Sequence, residues 1–582
     1  MLPEYFIVIS NRFRPPGACS SVLGGLLLLG LGLAPGRVQG RLLHARDPEA
    51  AVENQRDFRS KYRAAAGFPF RARLSTDLPL RIRLGIMSGQ GRIEFRTEAN
   101  STIQVGSKTF RSPAGSRWSI LHLEGSAAVT RSRALLARVP YGHGAEARRM
   151  QQDWEARGHD VKVFPMGILL TDRRSGRRLN DSRCWFVTLE PEVSWTAAWN
   201  RCIELTAQGV NPTVYEEMVS APSGRMALVD QRGKVQARGS SVEIQSPGEI
   251  KVYRVEHDQD LPQHGYEDRS FQGNIHVDVG QNGKLAVSTS LDLESYIKGV
   301  VPSEIYASDP METIKAQAVA ARSETLAGLG FSNPADPYDI CSDQHCQAYR
   351  GEDHRSPRTD AGVAATRSQV LRYGDTILNA VYSDTCGGRT ENLEKVWSLP
   401  PHPAMKGRWD LSSDPGALDL GGSEADLRRF LDETSAGYCS RSKGGDGRHF
   451  RWIESRTLAQ ITETVNRRYP VGQILSLTPV ERGVSGRLRR LKVIGTKGET
   501  VIFKELAIRQ ALGGLKSALF LIEPQKDNSG HTTGFTFKGG GWGHGVGLCQ
   551  SGARGRAEAG QDYRTILGHY YQNATIETLI GY

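Results

Sequence analysis

The chain has 582 residues, 38% of them hydrophobic and 24% charged, a balance that belongs to folded proteins and excludes wholesale disorder. That length exceeds what one hydrophobic core fills, so several folded units are expected and the fold class reads as α+β, multidomain. A formal charge of +11 points to an anionic partner, nucleic acid, a membrane surface or a carboxylate-bearing cell wall, but the basic residues are scattered without a Lys/Arg block, so charge alone decides little; the export expected below disfavours nucleic acid.

Residues 1–40 read as a signal peptide or N-terminal anchor. Arg12 and Arg14 precede the apolar run VLGGLLLLGLGLA at 22–34, which suits a signal-peptide core and falls short of a bilayer span. No other segment approaches twenty uninterrupted apolar residues, so the chain is expected to be exported and to meet a membrane only through this segment if it stays uncleaved. Residues 41–132 form a β-rich N-terminal segment, with alternating stretches such as LRIRLGIM and RIEFRTE between turn-rich GQG and SPAGS.

From 133 to 217 the period changes. Strands ALLARVPY, HDVKVFPM, CWFVTLEP and PTVYEEM interleave with the helices AEARRMQQDWEARG and WTAAWNRCIELTAQG, each closed by a glycine. Two βαβ halves of similar length predict a ferredoxin-like split βαβ module. In order and size it resembles the SPOR domain, which binds peptidoglycan glycan strands. A β-rich connecting segment follows at 218–264.

Near Leu291 an amphipathic helix (LDLESYIKG) begins and is expected to stop at Gly299; the extended preference before Pro302 then places Glu304 on a loop. The next helix is expected to take Asp309 as N-cap, Pro310 at its first position and Glu312 as capping-box partner, and to run to about residue 328. Its alanines (Ala316, Ala318, Ala320, Ala321) let another backbone approach, and Lys315 and Arg322, seven apart, share a face. Cys341, His345 and Cys346 offer three ligands compatible with Zn²⁺, whereas an oxidising compartment would instead favour a Cys341–Cys346 disulfide. The eight cysteines are too irregularly spaced to assign a disulfide framework.

The stretch LESYIKGVVPSEIYASDPMETIKAQAVAARSETL resembles the signature of the SpoIID/LytB family, which includes sporulation-related proteins. Further blocks recur in family order: DICSDQHCQAYRG at 339–351, YSDTCGGRTEN at 382–392, GWGHGVGLCQSGA at 541–553 and YRTILGHYY at 563–571. The resemblance covers roughly 265–582, a mixed α+β catalytic domain. It implies a peptidoglycan lytic transglycosylase that cuts the MurNAc–GlcNAc bond of denuded strands and leaves anhydro-MurNAc ends. Glu304 matches the family's catalytic glutamate, and one carboxyl suffices because the substrate's own C6 hydroxyl is the nucleophile.

The resemblance further implies that Lys315 and Arg322 position substrate or the glutamate, and that Tyr382, Gly387 and Gly388 line the groove. Gly543, Gly545 and Gly547 would let backbone approach a sugar, beside His544, which either trades a proton or serves structure. Some members bind zinc with an additional upstream histidine; here GFSNPADPYD has none, leaving Asp336, Asp339, a distant residue or water as fourth ligand. The alternative to catalysis is a wall-binding protein that enhances a cell-wall amidase partner.

Overall fold

The computed structural model describes residues 73–579, apart from 77–79, 173–174, 191–193, 258–263, 332, 334–335, 344–345, 414, 434–436 and 441–448. The expected signal segment lies outside the described residues. Strands make up 40% and helices 25%, distributed over several sheets, an α+β architecture. Among the described residues no helix is long and apolar enough to cross a membrane.

Strand pairing redraws the expected domain boundaries. A seven-stranded sheet runs in the order Ile340–Cys341, Arg81–Gln90, Leu285–Asp292, Asn274–Val279, Val242–Gln245, Ser101–Val105, Lys108–Ser112. A six-stranded sheet runs Val235–Gly239, Ser223–Asp230, Arg117–Ser126, Arg92–Thr97, Ile250–His257, Gly265–Phe271. Each sheet mixes strands from before residue 132 with strands from after 218. The described strands of segments 41–132 and 218–264 therefore share sheets instead of forming separate units. Ile82, Leu84, Phe95, Ile120, Val252 and Val277 from the two sheets share one core with Tyr296, Ile297 and Val300, so burial joins what the order along the chain separates.

The segment between these strands has the expected split βαβ order. Thr213–Ser220, Val129–Pro140, Cys184–Leu189 and Val161–Met166 lie side by side, every neighbour antiparallel. Trp154, Trp195 and Leu205 from the two helices, Gly144–Glu155 and Trp195–Ala207, bury one sheet face. On the other face Leu135, Phe164, Phe186 and Tyr215 cluster with Phe331. The hairpin Leu169–Asp172/Arg178–Asp181 goes further and places Leu170 and Leu179 in the main core, with Asn180 donating to the Leu326 carbonyl and accepting from the Ile377 N–H. The unit is thus an insertion docked into the larger body, entering and leaving through the paired residues Val129 and Ser220.

The helix expected to stop at Gly299 continues to Glu304 (Leu293–Glu304), with Asp292 as its cap. Gly299 is there for contact: a Cβ on it would lie 2.2 Å from Cε2 of Tyr349, whose ring is stacked between those of Tyr296 and Phe271. Pro302 sits in the last turn, where Ser303 Oγ donates to the Gly299 carbonyl at 2.8 Å and the Ile305 N–H to the Val301 carbonyl at 3.0 Å. Gly299→Ala is accordingly expected to destabilise the protein by about 1–3 kcal/mol through overpacking against rigid rings. A urea unfolding midpoint measures this; an unchanged midpoint would mean the ring stack yields freely.

The next helix, Met311–Gly328, is wrapped on nearly all sides, and its alanines at 316, 318, 320 and 321 are fully buried, as close backbone approach requires. Its cap is Pro310, without a side-chain bond. Asp309 is drawn instead into a buried ion pair with Arg554 at 2.6 Å, and Glu312 takes Lys315 and the Tyr563 N–H, so tertiary partners outcompete the local cap. Residues 451–537 hold a second core, including Trp452, Ile461, Leu488, Phe520 and Phe537.

Candidate active site

Glu304 closes its helix where three separate chain segments meet. Its Oε1 accepts the Ala348 N–H at 2.7 Å, and its Oε2 lies 3.4 Å from Gln550 Nε2. Gln550 Nε2 is also 3.5 Å from Gln317 Oε1 on the central helix. The side chain of Glu304 is half-buried, and burial of the carboxyl pushes its pKa up, opposed by these two hydrogen bonds. Among the described residues no cation hydrogen-bonds to this carboxylate. The Arg350 charge also opposes the upward shift, and burial outweighs it.

Behind it, Tyr382 is buried and its hydroxyl donates to Gln347 Oε1 at 2.8 Å, while Gln347 Nε2 donates to Thr325 Oγ1 at 2.8 Å. This chain fixes the residue next to Ala348, and so the N–H that orients Glu304. Tyr382 is placed as a support of the site instead of a groove wall.

The glycine–histidine block also faces inward. His544 is 1% exposed; its Nε2 is 2.9 Å from the Tyr382 carbonyl and its Nδ1 accepts from the Val546 N–H at 2.9 Å, which assigns a neutral ring protonated on Nε2. Burial holds its pKa well below the usual histidine range. Of its two expected roles, the structure gives it the structural one.

Gly387, Gly388, Gly543, Gly545 and Gly547 all have positive φ and are buried. A Cβ on Gly547 would come 2.0 Å from the Val381 carbonyl, and one on Gly545 would meet Arg487 at 2.4 Å. The close approach these glycines allow is protein on protein, not the expected protein on sugar. Arg322 is likewise removed from any groove: it is 0% exposed and makes two 2.8 Å bonds to Glu294, plus one to the Gln369 carbonyl. Lys315 remains partly exposed, paired with Glu312 at 2.6 Å.

Residues that the sequence reading passed over lie on the open side. Asp384 Oδ2 is 3.0 Å from His449 Nδ1, and Asp384 also accepts from Thr385 and Ser551, the residue next to Gln550. Burial would raise the Asp384 carboxyl, but the His449 hydrogen bond and charge outweigh it and hold its pKa low. The His449 ring stands edge-on to Trp542 at 4.2 Å. Tyr306, two residues past Glu304, is 64% exposed. Asp384 and Trp542 sit inside the blocks 382–392 and 541–553, which were the available signal; His449 carries none.

His345 lies outside the described residues. Cys341 and Cys346 are buried thiols not joined in a disulfide, with the Cys341 N–H donating to Cys346 Sγ at 3.0 Å and Asn333 Nδ2 at 3.2 Å from the same sulfur. Asp339 Oδ2 accepts the Arg83 N–H at 2.7 Å.

Residues 281–373 match the family model described as "Stage II sporulation protein", and residues 391–547 match a domain of unknown function, DUF8618. The chain is 29% identical to a Bacillus subtilis protein named "Amidase enhancer" over 296 residues, 48% of this chain and 40% of that protein. It is 27% identical to "Stage II sporulation protein D" of Bacillus amyloliquefaciens over 303 residues and 29% identical to that of Bacillus subtilis over 305, each 49% of this chain and 74% and 75% of the relative. The chain thus spans less than half of the amidase enhancer's length and about three quarters of the other two. The SPOR resemblance of the inserted unit rests on strand order alone. The domain at 281–373, which carries Glu304, is thus a SpoIID-family domain within a chain that is similar to SpoIID and amidase-enhancer proteins over about half its length.

Proposed function

We propose that this chain is an exported peptidoglycan lytic transglycosylase acting on the MurNAc–GlcNAc bond of denuded glycan strands, with Glu304 as its acid and base. The single observation that carries the reading is the carboxyl of Glu304: partly exposed, raised in pKa by burial, and held by a backbone N–H and a carboxamide instead of a cation. Burial makes such a group a weaker acid than an exposed carboxyl, which suits delivery of its proton to the glycosidic oxygen. The resulting carboxylate, steadied by the Ala348 N–H, then accepts the proton of the muramic-acid C6 hydroxyl as the anhydro ring closes. A two-carboxylate hydrolase would need a second acid to activate water. Asp384, Trp542 and Tyr306 offer polar and aromatic surface for the strand.

The expected result is that amidase-treated sacculi, digested with the protein and analysed by mass spectrometry, yield anhydro-muramic ends. Reducing muramic ends would show hydrolysis and overturn the reading. A second reading, a non-catalytic wall-binding protein that stimulates an amidase, is favoured by the name of one relative. Under it no new glycan ends appear, and amidase stimulation survives Glu304→Gln.

A further inference from the structure

Cys386, Cys439 and Cys549 come from positions 53 and 163 residues apart, yet their sulfurs converge with the carboxylate of Asp410, the four ligand atoms lying within 4.8 Å of one another. All four side chains are buried. We propose that these residues form a structural Zn²⁺ site of the Cys₃Asp type, separate from Cys341 and Cys346.

Four observations support it. First, two of the spacings match the edges of a tetrahedron and all four ligand atoms lie within 4.8 Å of one another. Zinc–sulfur bonds of about 2.3 Å put two sulfurs roughly 3.8 Å apart, and a zinc–oxygen bond of about 2.0 Å puts oxygen roughly 3.5 Å from sulfur. Cys386 Sγ is 3.8 Å from Cys439 Sγ and 3.4 Å from Asp410 Oδ2. Second, backbone donors aim at the sulfurs: the Cys386 and Gly552 N–H groups at Cys549 Sγ (3.1 and 3.2 Å), and the Gly388 N–H at Cys386 Sγ (3.4 Å). Sulfurs collecting N–H bonds are placed as acceptors, as thiolates are.

Third, the carboxylate has its own supports. Arg556 Nε donates to Oδ1 at 2.9 Å and the Tyr570 hydroxyl to Oδ2 at 2.9 Å, which fixes the orientation of a ligating carboxylate. Fourth, the surplus negative charge of three thiolates and a carboxylate around a dication has cations beside it. Arg451 and Arg487 donate to the carbonyls of Gly387 and Cys386, and Arg556 holds Asp410. A thiol could donate to this carboxylate at 3.4 Å, but a single S–H bond does not account for three sulfurs gathered around it. The metal would tie together the block containing Asp384, the loop of Asp410 and the start of the helix Gln550–Glu558, whose first residue touches Glu304. It would thus serve to hold Gln550 in place.

The test is cobalt substitution of the full chain. Co²⁺ is expected to give thiolate-to-cobalt charge-transfer absorption with the d–d bands of a tetrahedral site, retained in Cys346→Ser and lost in Cys439→Ser, with one equivalent of native zinc lost in the latter alone. Should Cys439→Ser fail to fold, Tyr570→Phe keeps the ring and removes only the bond to Asp410, and cobalt affinity should fall by about 10-fold or more. The proposal is overturned if the bands are absent, if they persist in Cys439→Ser, if affinity is unchanged in Tyr570→Phe, or if peptide mapping finds a disulfide among the three cysteines.

Discussion

Glu304→Gln is expected to lower glycan cleavage by a factor of about 10²–10⁴, the usual contribution of a positioned acid/base, while leaving the fold intact. Glutamine keeps the shape, its carbonyl oxygen can still accept the Ala348 N–H, and a rotation of Gln550 lets that carboxamide present oxygen to the new NH₂. Stability supplies a second readout with a definite sign. Burial raises the folded-state pKa of Glu304, so the stability this group contributes is full below its unfolded value of about 4.3 and is lost as pH rises through the folded pKa. Glutamine has no charge to bury. The variant should therefore melt above the wild type at neutral pH, with the gap closing in acid. Cleavage at the wild-type rate would remove Glu304 from the mechanism; a variant that melts lower at neutral pH than in acid, relative to wild type, would remove the buried-carboxyl argument.

The second large effect belongs to Arg322, and it should fall on the fold. Arg322→Ala leaves the Glu294 carboxylate, 5% exposed, with the Ser368 N–H as its remaining recorded donor. Breaking one side of a buried pair typically costs about 3–5 kcal/mol, a large share of the 5–15 kcal/mol that holds a typical native protein together. The double variant Arg322→Met with Glu294→Leu removes both charges and should recover much of the loss. Chemical unfolding of these two variants beside the wild type measures this. If Arg322→Ala instead raised KM for glycan and left the unfolding midpoint unmoved, the residue would belong to the substrate groove after all.

That contrast shows which parts of the site could be read from sequence. A spacing of seven does put Lys315 and Arg322 on one helical face, but periodicity gives no preference between groove and core when a helix is covered on nearly every side. Gly299 was ambiguous for a related reason: glycine ends helices and also makes room for rings, and only the position of Tyr349 decides between the two. Glu304 was legible as part of a dense local motif, and the split βαβ order because its strands and helices alternate in turn along the chain. The two large sheets were not, since Arg81–Gln90 finds its neighbours in Leu285–Asp292 and Ile340–Cys341. Likewise Cys386, Cys439 and Cys549 have no motif spacing and are brought together only by tertiary structure.

The pairing of Arg81–Gln90 also sets a clock on biogenesis. Its backbone partners in Leu285–Asp292 lie about 200 residues downstream, so at synthesis rates of about 5–20 residues per second this strand waits roughly 10–40 s before its ladder can form. For that interval Ile82, Leu84 and Ile86, all destined for the core, have no sheet to enter. A nascent chain of this design stays open long enough for a holding chaperone to keep it extended, and it reaches its final form only after most of its length has been made.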